Sequence, residues 1–326
     1  MATPMAVPHT RETTVALGVF SHPSYYRRRV VIADTWMARF GRAWTVRFVL
    51  GGVELLANRT HVVLPVNDTW SGNGVKFRAW LEFALVYHTD FIANADDDAF
   101  VSPKIQADLL GFQRARLVAY GAVEWCAYDE QRAQMYAWGG GAWESLSGWR
   151  SADGFGDSPP FPFVKGPFMA FSSDLVRALI PPLREIEART VLGGPRILMD
   201  VVAGYALSTY LRSLSITLLD IGRTTKAEES SRGFAEMRRG RDLRKGCLRV
   251  LHFGSNTRKN SRSRKEAEFL DFRTMMTARN LADARCNRPL RFRCHPFDDY
   301  VKLSPKKLNQ TIGGRAWRYC RGSLER

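Results

Sequence analysis

The 326 residues, 45% of them hydrophobic, suffice for a large buried core arranged as one domain or two. No apolar run is long enough to span a bilayer, since the best stretch, Ile197 to Leu219, is broken by Asp200 and Arg212. The net charge of +16 falls entirely in residues 222–326, because residues 1–221 are neutral, and that polarity suits an anionic partner: nucleic acid, a phosphorylated glycan or a membrane surface.

Residues Met1 to Arg11 contain Pro4 and Pro8 and no signal-peptide pattern, so a luminal protein would need an anchor from outside this sequence. Thr14 to Phe20 reads as an apolar strand. Tyr25 to Phe40 reads as a helix with Arg27, Arg28 and Arg29 in its first turn and Val30, Val31, Ala33, Thr35, Trp36 and Met37 as buried candidates. Thr45 to Leu50 and His61 to Val66 are the next strands. Val75 to His88 is a helix with Phe77, Trp80, Leu81, Ala84, Leu85 and His88 on one face. Asp90-Phe91-Ile92 then reads as the end of a buried strand, and Val101-Ser102-Pro103 as a helix start.

Between them lies Asp96-Asp97-Asp98, three consecutive carboxylates at one point. Alternation along an extended chain sends Asp96 and Asp98 to one side and Asp97 to the other. Two hard oxygen donors facing one way are what Mg²⁺ or Mn²⁺ binds, with phosphate oxygens completing the shell. Strand, helix, strand, helix, then a strand ending in carboxylates is the pattern of an open, mainly parallel α/β sheet flanked by helices. In such sheets ligands sit at the carboxyl ends of the strands.

A strand follows at Leu117 to Glu124. An irregular region, Cys126 to Val164, carries Trp138 and Trp143, aromatic faces suited to stacking on sugars. Gly166 to Phe171 resumes a strand, capped into a helix ending at Ile180-Pro181-Pro182. Ile197 to Leu207 reads as a buried helix starting near Asp200, where the carboxylate serves as a cap or as a base at a cavity edge. Ile216 to Ile221 and Arg249 to Phe253 look like the last strands, the second holding His252. Beyond Gly254 the chain is basic, with a helix expected from Arg264 to Leu281. The expected division is therefore residues 12–255 as catalytic domain and 256–326 as basic extension. None of the five cysteines forms a C-x-x-C pair, which argues against a zinc site. Cys286, Cys294 and Cys320 cluster late, where a disulfide could staple the tail. Asn58, Asn67 and Asn309 stand in glycosylation acceptor patterns and lean towards a luminal location.

Five pieces in order resemble the β-1,3-galactosyltransferase-like inverting glycosyltransferases: Arg27 to Trp36, Val46 to Gly51, Asp96 to Val101, Phe161 to Ser172, and Asp200 to Gly204. The nearest flavour is that of protozoan phosphoglycan galactosyltransferases. The resemblance runs from about Thr14 to His252 and implies a GT-A fold. It also implies a UDP-sugar donor, UDP-galactose or UDP-N-acetylglucosamine, and a Mn²⁺ or Mg²⁺ cofactor. The acceptor would be a glycan or phosphoglycan, and the setting the Golgi lumen or secretory membranes, with a membrane anchor. It assigns Asp200 as base; Asp96, Asp98 and His252 to metal; Asp96, Asp97 and Arg28 to nucleotide; and Trp138, Trp143, Lys165 and Gly166 to acceptor. The chain departs from the family at Ala33, where Arg is common, at Met199, where Glu or Asp is common, and at Val164, where Cys is common, so a family disulfide is not expected. A non-catalytic relative, suggested by Ala33 and Met199, is one alternative, and a nucleic-acid-binding module built on Arg238-Arg239-Gly240-Arg241 and Arg258 to Lys265 is the competing class. It leaves the acidic run unexplained, and no nucleic-acid partner is expected.

Overall fold

The computed structural model describes residues 12–68, 73–113, 115–126, 128–129, 134–135, 161–190, 199–221, 225–227, 250–252, 290–296 and 317–323, with single positions at 273 and 277. Its strands are β1 (Val15–Phe20), β2 (Trp44–Gly51), β3 (Leu56–Ala57), β4 (His61–Leu64), β5 (Phe91–Asp96), β6 (Ala99–Val101), β7 (Val118–Cys126), β8 (Tyr128–Asp129), β9 (Gln134–Met135), β10 (Phe161–Ser172), β11 (Thr217–Asp220), β12 (Thr225–Ala227), β13 (Val250–His252), β14 (Arg291–Pro296) and β15 (Arg318–Ser323). The helices are α1 (Tyr26–Asp34), α2 (Asn73–Ala84), α3 (Ile105–Leu110), α4 (Ser173–Thr190) and α5 (Met199–Thr209).

Ten strands form one mainly parallel sheet in the order β14-β15-β11-β7-β10-β5-β1-β2-β4-β3. β10 runs antiparallel between β5 and β7, and β3 and β14 are antiparallel at the two edges. The chain winds outward from β1 through β2 to β4, then returns through α2 to place β5 on the other side of β1. The switch point therefore lies between β1 and β5, and the carboxyl ends of those strands are where sheets of this kind bind ligands.

Helices cover both faces, and side-chain alternation sorts the core accordingly. Ile92 packs with Phe77, Trp80, Leu175, Leu179 and Val202 on the face of α2, α4 and α5. Phe91, Ala93 and Ala95 pack with Val31, Ile32, Trp36, Ile105 and Leu109 on the face of α1 and α3. This is the helix-flanked α/β sheet the patterning calls for. Among the described residues no helix is long and apolar enough to cross a membrane.

Several elements differ from expectation. The first helix stops at Asp34, because the Thr35 hydroxyl turns back to the Val31 carbonyl at 2.6 Å, and a short 3-10 turn follows. Val30 is exposed rather than buried. α2 ends at Ala84, and His88, expected on its buried face, is an exposed left-handed cap with φ of 51°. α4 continues through Pro181 and Pro182, since its buried row of Leu175, Val176, Leu179, Ile180, Leu183 and Ile186 extends past them. β5 begins at Phe91, where the sequence reads as a strand ending, and β6 intervenes before α3. β13 pairs with β6 and β12 in a separate three-stranded sheet. The segment expected as a basic extension supplies β14 and β15 to the main sheet, where Trp317, Tyr319 and Cys320 are buried and Cys294 is disulfide-bonded to Cys320. The helix expected from Arg264 to Leu281 lies almost wholly outside the described residues.

Candidate active site

Residues Asp96-Asp97-Asp98 form the turn from β5 into β6, at the carboxyl end of β5. Asp97 is buried and points to the α1 side. The Ser21 hydroxyl at the end of β1 donates to its Oδ2 at 2.6 Å, and Arg28 Nη1 donates to its Oδ1 at 3.0 Å. Burial pushes the Asp97 carboxyl above its ordinary range, while the Arg28 guanidinium and the Ser21 hydroxyl hold it back. Arg29, also buried, donates Nη1 to Ser21 Oγ at 3.2 Å and Nη2 to the Pro23 carbonyl at 3.1 Å. Arg28 lies over the exposed ring of Tyr25, 4.6 Å from its centroid.

Asp96 and Asp98 are partly exposed. Asp96 still belongs to β5 and by alternation faces the α5 side, opposite to Asp97. His252 sits on β13 in register with Ala99, one residue from Asp98. Among the described residues no three His, Cys, Asp or Glu side chains are gathered into a metal cage. Two carboxylates on a partly exposed turn nonetheless suit a Mg²⁺ or Mn²⁺ that takes its other oxygens from water and a bound phosphate.

On the α5 side stands Asp200, in the first turn of that helix and partly buried. Its Oδ2 accepts the Gly166 N–H at 3.0 Å and its Oδ1 the Val201 N–H at 2.9 Å. Burial raises the Asp200 carboxyl above its ordinary range; the two N–H groups and the charge of Lys165 oppose that rise. A Cβ on Gly166 would lie 3.2 Å from Met199 Cε and 3.5 Å from Asp200 Oδ2, so a side chain there would press on the Met199 methyl. The pairing of β10 with β7 shifts register between Val164 and Met169, and Lys165 and Gly166 occupy that irregular stretch. Phe168 pairs with Ala95, so the residues just before it run alongside the end of β5. A second link comes from Asn94 of β5, whose Nδ2 approaches Met199 Sδ at 3.8 Å. The acidic turn and Asp200 thus share one end of one sheet. Trp138 and Trp143 lie outside the described residues.

No protein-family model matches this chain, and no curated protein matches it in sequence. Among solved structures it is similar to the apo-form glycosyltransferase GlyE of Streptococcus pneumoniae TIGR4, with TM-score 0.41 and 9% identity over 82% of this chain and 62% of that one. It is also similar to the galactosyltransferase LgtC in complex with donor and acceptor sugar analogs, with TM-score 0.40 and 10% identity over 80% of this chain and 95% of that one. The chain therefore spans less than two-thirds of GlyE.

Sequence patterning gives no hint of the support beneath the turn. Lys76, on the buried face of α2, is 2% exposed; its Nζ donates to the Ser21 carbonyl and to Asp68 Oδ1, both at 2.7 Å. Asp68 Oδ2 in turn accepts the Gly51 N–H at 2.9 Å. Lys76 thereby ties the ends of β1 and β2 to the Asp68 loop. Its only signal in the sequence is a lysine four positions before Trp80, on an otherwise apolar helix face. A shallow cleft of about 440 Å³, lined by Gly51, Gly52, Val53, Pro65, Val66, Asn67 and Asp68, adjoins this network.

Proposed function

We propose that the chain is a GT-A-type inverting glycosyltransferase that moves galactose from UDP-galactose to a hydroxyl of a glycan or phosphoglycan acceptor, forming a β-1,3 linkage. One observation carries the reading. An acidic turn at the switch point and a helix-start carboxylate stand at the same end of one sheet, joined through the Gly166–Asp200 and Asn94–Met199 contacts.

In this reading Asp200 takes the proton of the acceptor hydroxyl. The freed oxygen attacks the anomeric carbon from the face opposite the diphosphate, the carbon–oxygen bond to the diphosphate breaks, and UDP leaves. A base with a carboxyl raised by burial is better matched to a hydroxyl than an ordinary aspartate is. A divalent cation bound by Asp96 and Asp98, with His252 as a further ligand, would supply charge neutralisation for the departing diphosphate. Arg28, held by Asp97, would supply positive charge for the same diphosphate. Lys165, partly exposed beside Asp200, suits an acceptor bearing phosphate. The Cys294–Cys320 disulfide favours an oxidising, secretory setting.

Incubation with Mn²⁺ and a panel of UDP-sugars, UDP-galactose and UDP-N-acetylglucosamine among them, should release UDP, fastest from UDP-galactose. Failure to release UDP from every sugar nucleotide, with and without glycan acceptors, refutes the assignment.

A further inference from the structure

Asn94 is an anomaly at the centre of the molecule. Its backbone pairs with Gly18 of β1 on one side and Met169 of β10 on the other, and the residue is fully buried. Among the described residues its Oδ1 has no hydrogen-bond partner, and its Nδ2 reaches only the Met199 sulfur, a weak acceptor, at 3.8 Å. The preceding position on the same face, Ile92, is wholly buried among apolar side chains. An unmade hydrogen bond in such a place is expensive, and a leucine has nearly the same branched outline with nothing to satisfy. Groups of this kind are retained where function opposes stability.

The surroundings suggest which function. Asn94 shares a face with Asp96 two residues on. Met199, the one side-chain hydrogen-bond partner of Asn94 among the described residues, opens α5 immediately before Asp200, and its methyl lies 3.2 Å from where a Cβ on Gly166 would stand. A continuous path of contacts thus runs from the central strand through Asn94 and Met199 to the carboxylate held on the Gly166 N–H.

We infer that Asn94 is a positioning residue: through its amide contact with Met199 it fixes the first turn of α5, and so the place of the Asp200 carboxylate beside the acidic turn. This rests on the reading of Asp200 as proton acceptor, and it concerns neither the donor nor the metal. The sulfur contact has a direction that an aliphatic pair lacks, so it sets the angle at which α5 begins, and not merely its distance from β5.

The test replaces Asn94 with leucine in the full chain. Relief of the unsatisfied carbonyl raises Tm by about 2–4 °C. Loosened placement of Asp200 lowers kcat by about tenfold to a hundredfold, with KM for the sugar nucleotide unchanged. Hydrogen exchange of the Gly166 amide, read by NMR on glycine-labelled protein, speeds up at least tenfold although the fold as a whole is more stable. A residue that only packs would leave kcat unaltered and slow that exchange along with the rest. Met199→Leu, which keeps the volume and removes the sulfur, shows the fall in kcat and the faster Gly166 exchange more weakly and without the rise in Tm, and it stands in should Asn94→Leu not fold. Unchanged kcat together with undiminished Gly166 protection overturns the inference. If the wild-type chain transfers no sugar at all, the functional proposal falls, and the Gly166 exchange still decides whether Asn94 places Asp200.

Discussion

At the residue scale the chemistry depends on carboxylates that differ in their surroundings. Asp97 is buried against a guanidinium and a hydroxyl, so it holds the turn, while Asp96 and Asp98 keep partial exposure. If Asp200 is the base proposed above, Asp200→Asn retains the shape and removes the proton acceptor, so transfer should fall by about 10²–10⁴-fold while UDP binding measured by calorimetry stays the same. Because burial raises the Asp200 carboxyl, the acid limb of kcat lies above the ordinary range for aspartate, and activity is lost as pH falls through that raised value. The charge of Lys165 acts against that rise. Lys165→Met should therefore move the acid limb to still higher pH in a pH–rate profile, and an acid limb left in place would remove Lys165 from the electrostatics of the base.

At the scale of elements, the sheet and its covering helices were readable because their signals are local. Continuous buried runs mark β1 and β5, alternation marks much of β2, and the row Phe77, Trp80, Leu81 and Ala84 marks α2. The interruption at Thr35 was hidden, since it follows from one hydroxyl-to-carbonyl bond that competes with the helix ladder. Lys76 was hidden for a different reason. Its burial depends on Asp68, eight residues away, and on the Ser21 carbonyl, 55 residues away, which no window of sequence contains. The ion pair is nearly dry, at 2% and 13% side-chain exposure, so removing one partner strands the other charge. Asp68→Asn should cost about 3–5 kcal/mol in urea unfolding. A loss below about 1 kcal/mol would mean that water reaches Lys76 when its partner is gone.

For the molecule as a whole, the switch point between β1 and β5 follows from the order of elements, because a chain that winds outward from one strand and returns must leave one. The contribution of the C-terminal third was not. Its net charge draws the reading towards a solvated tail, yet Arg291 and Arg293 alternate with Phe292 and Cys294, a half-buried strand pattern in which the arginines are exposed. β14 and β15 complete the sheet beside β11, and Tyr319 donates its hydroxyl to the buried Asp220 at the end of that strand. The disulfide closes a separation of 26 residues, so its reduction should lower stability by about 3–4 kcal/mol, visible as a drop in the urea midpoint. An unchanged midpoint would mean that β15 keeps its place without the covalent link.

The central claim, a shared cleft with a metal-assisted nucleotide site on one wall and a base on the other, is tested most directly by UDP calorimetry. Binding is compared with Mn²⁺ and with chelator for wild type, Asp98→Ala and Asp200→Asn. The account predicts binding that requires Mn²⁺, is lost in Asp98→Ala and is unaltered in Asp200→Asn. UDP affinity indifferent to chelator, or intact in Asp98→Ala, would contradict it.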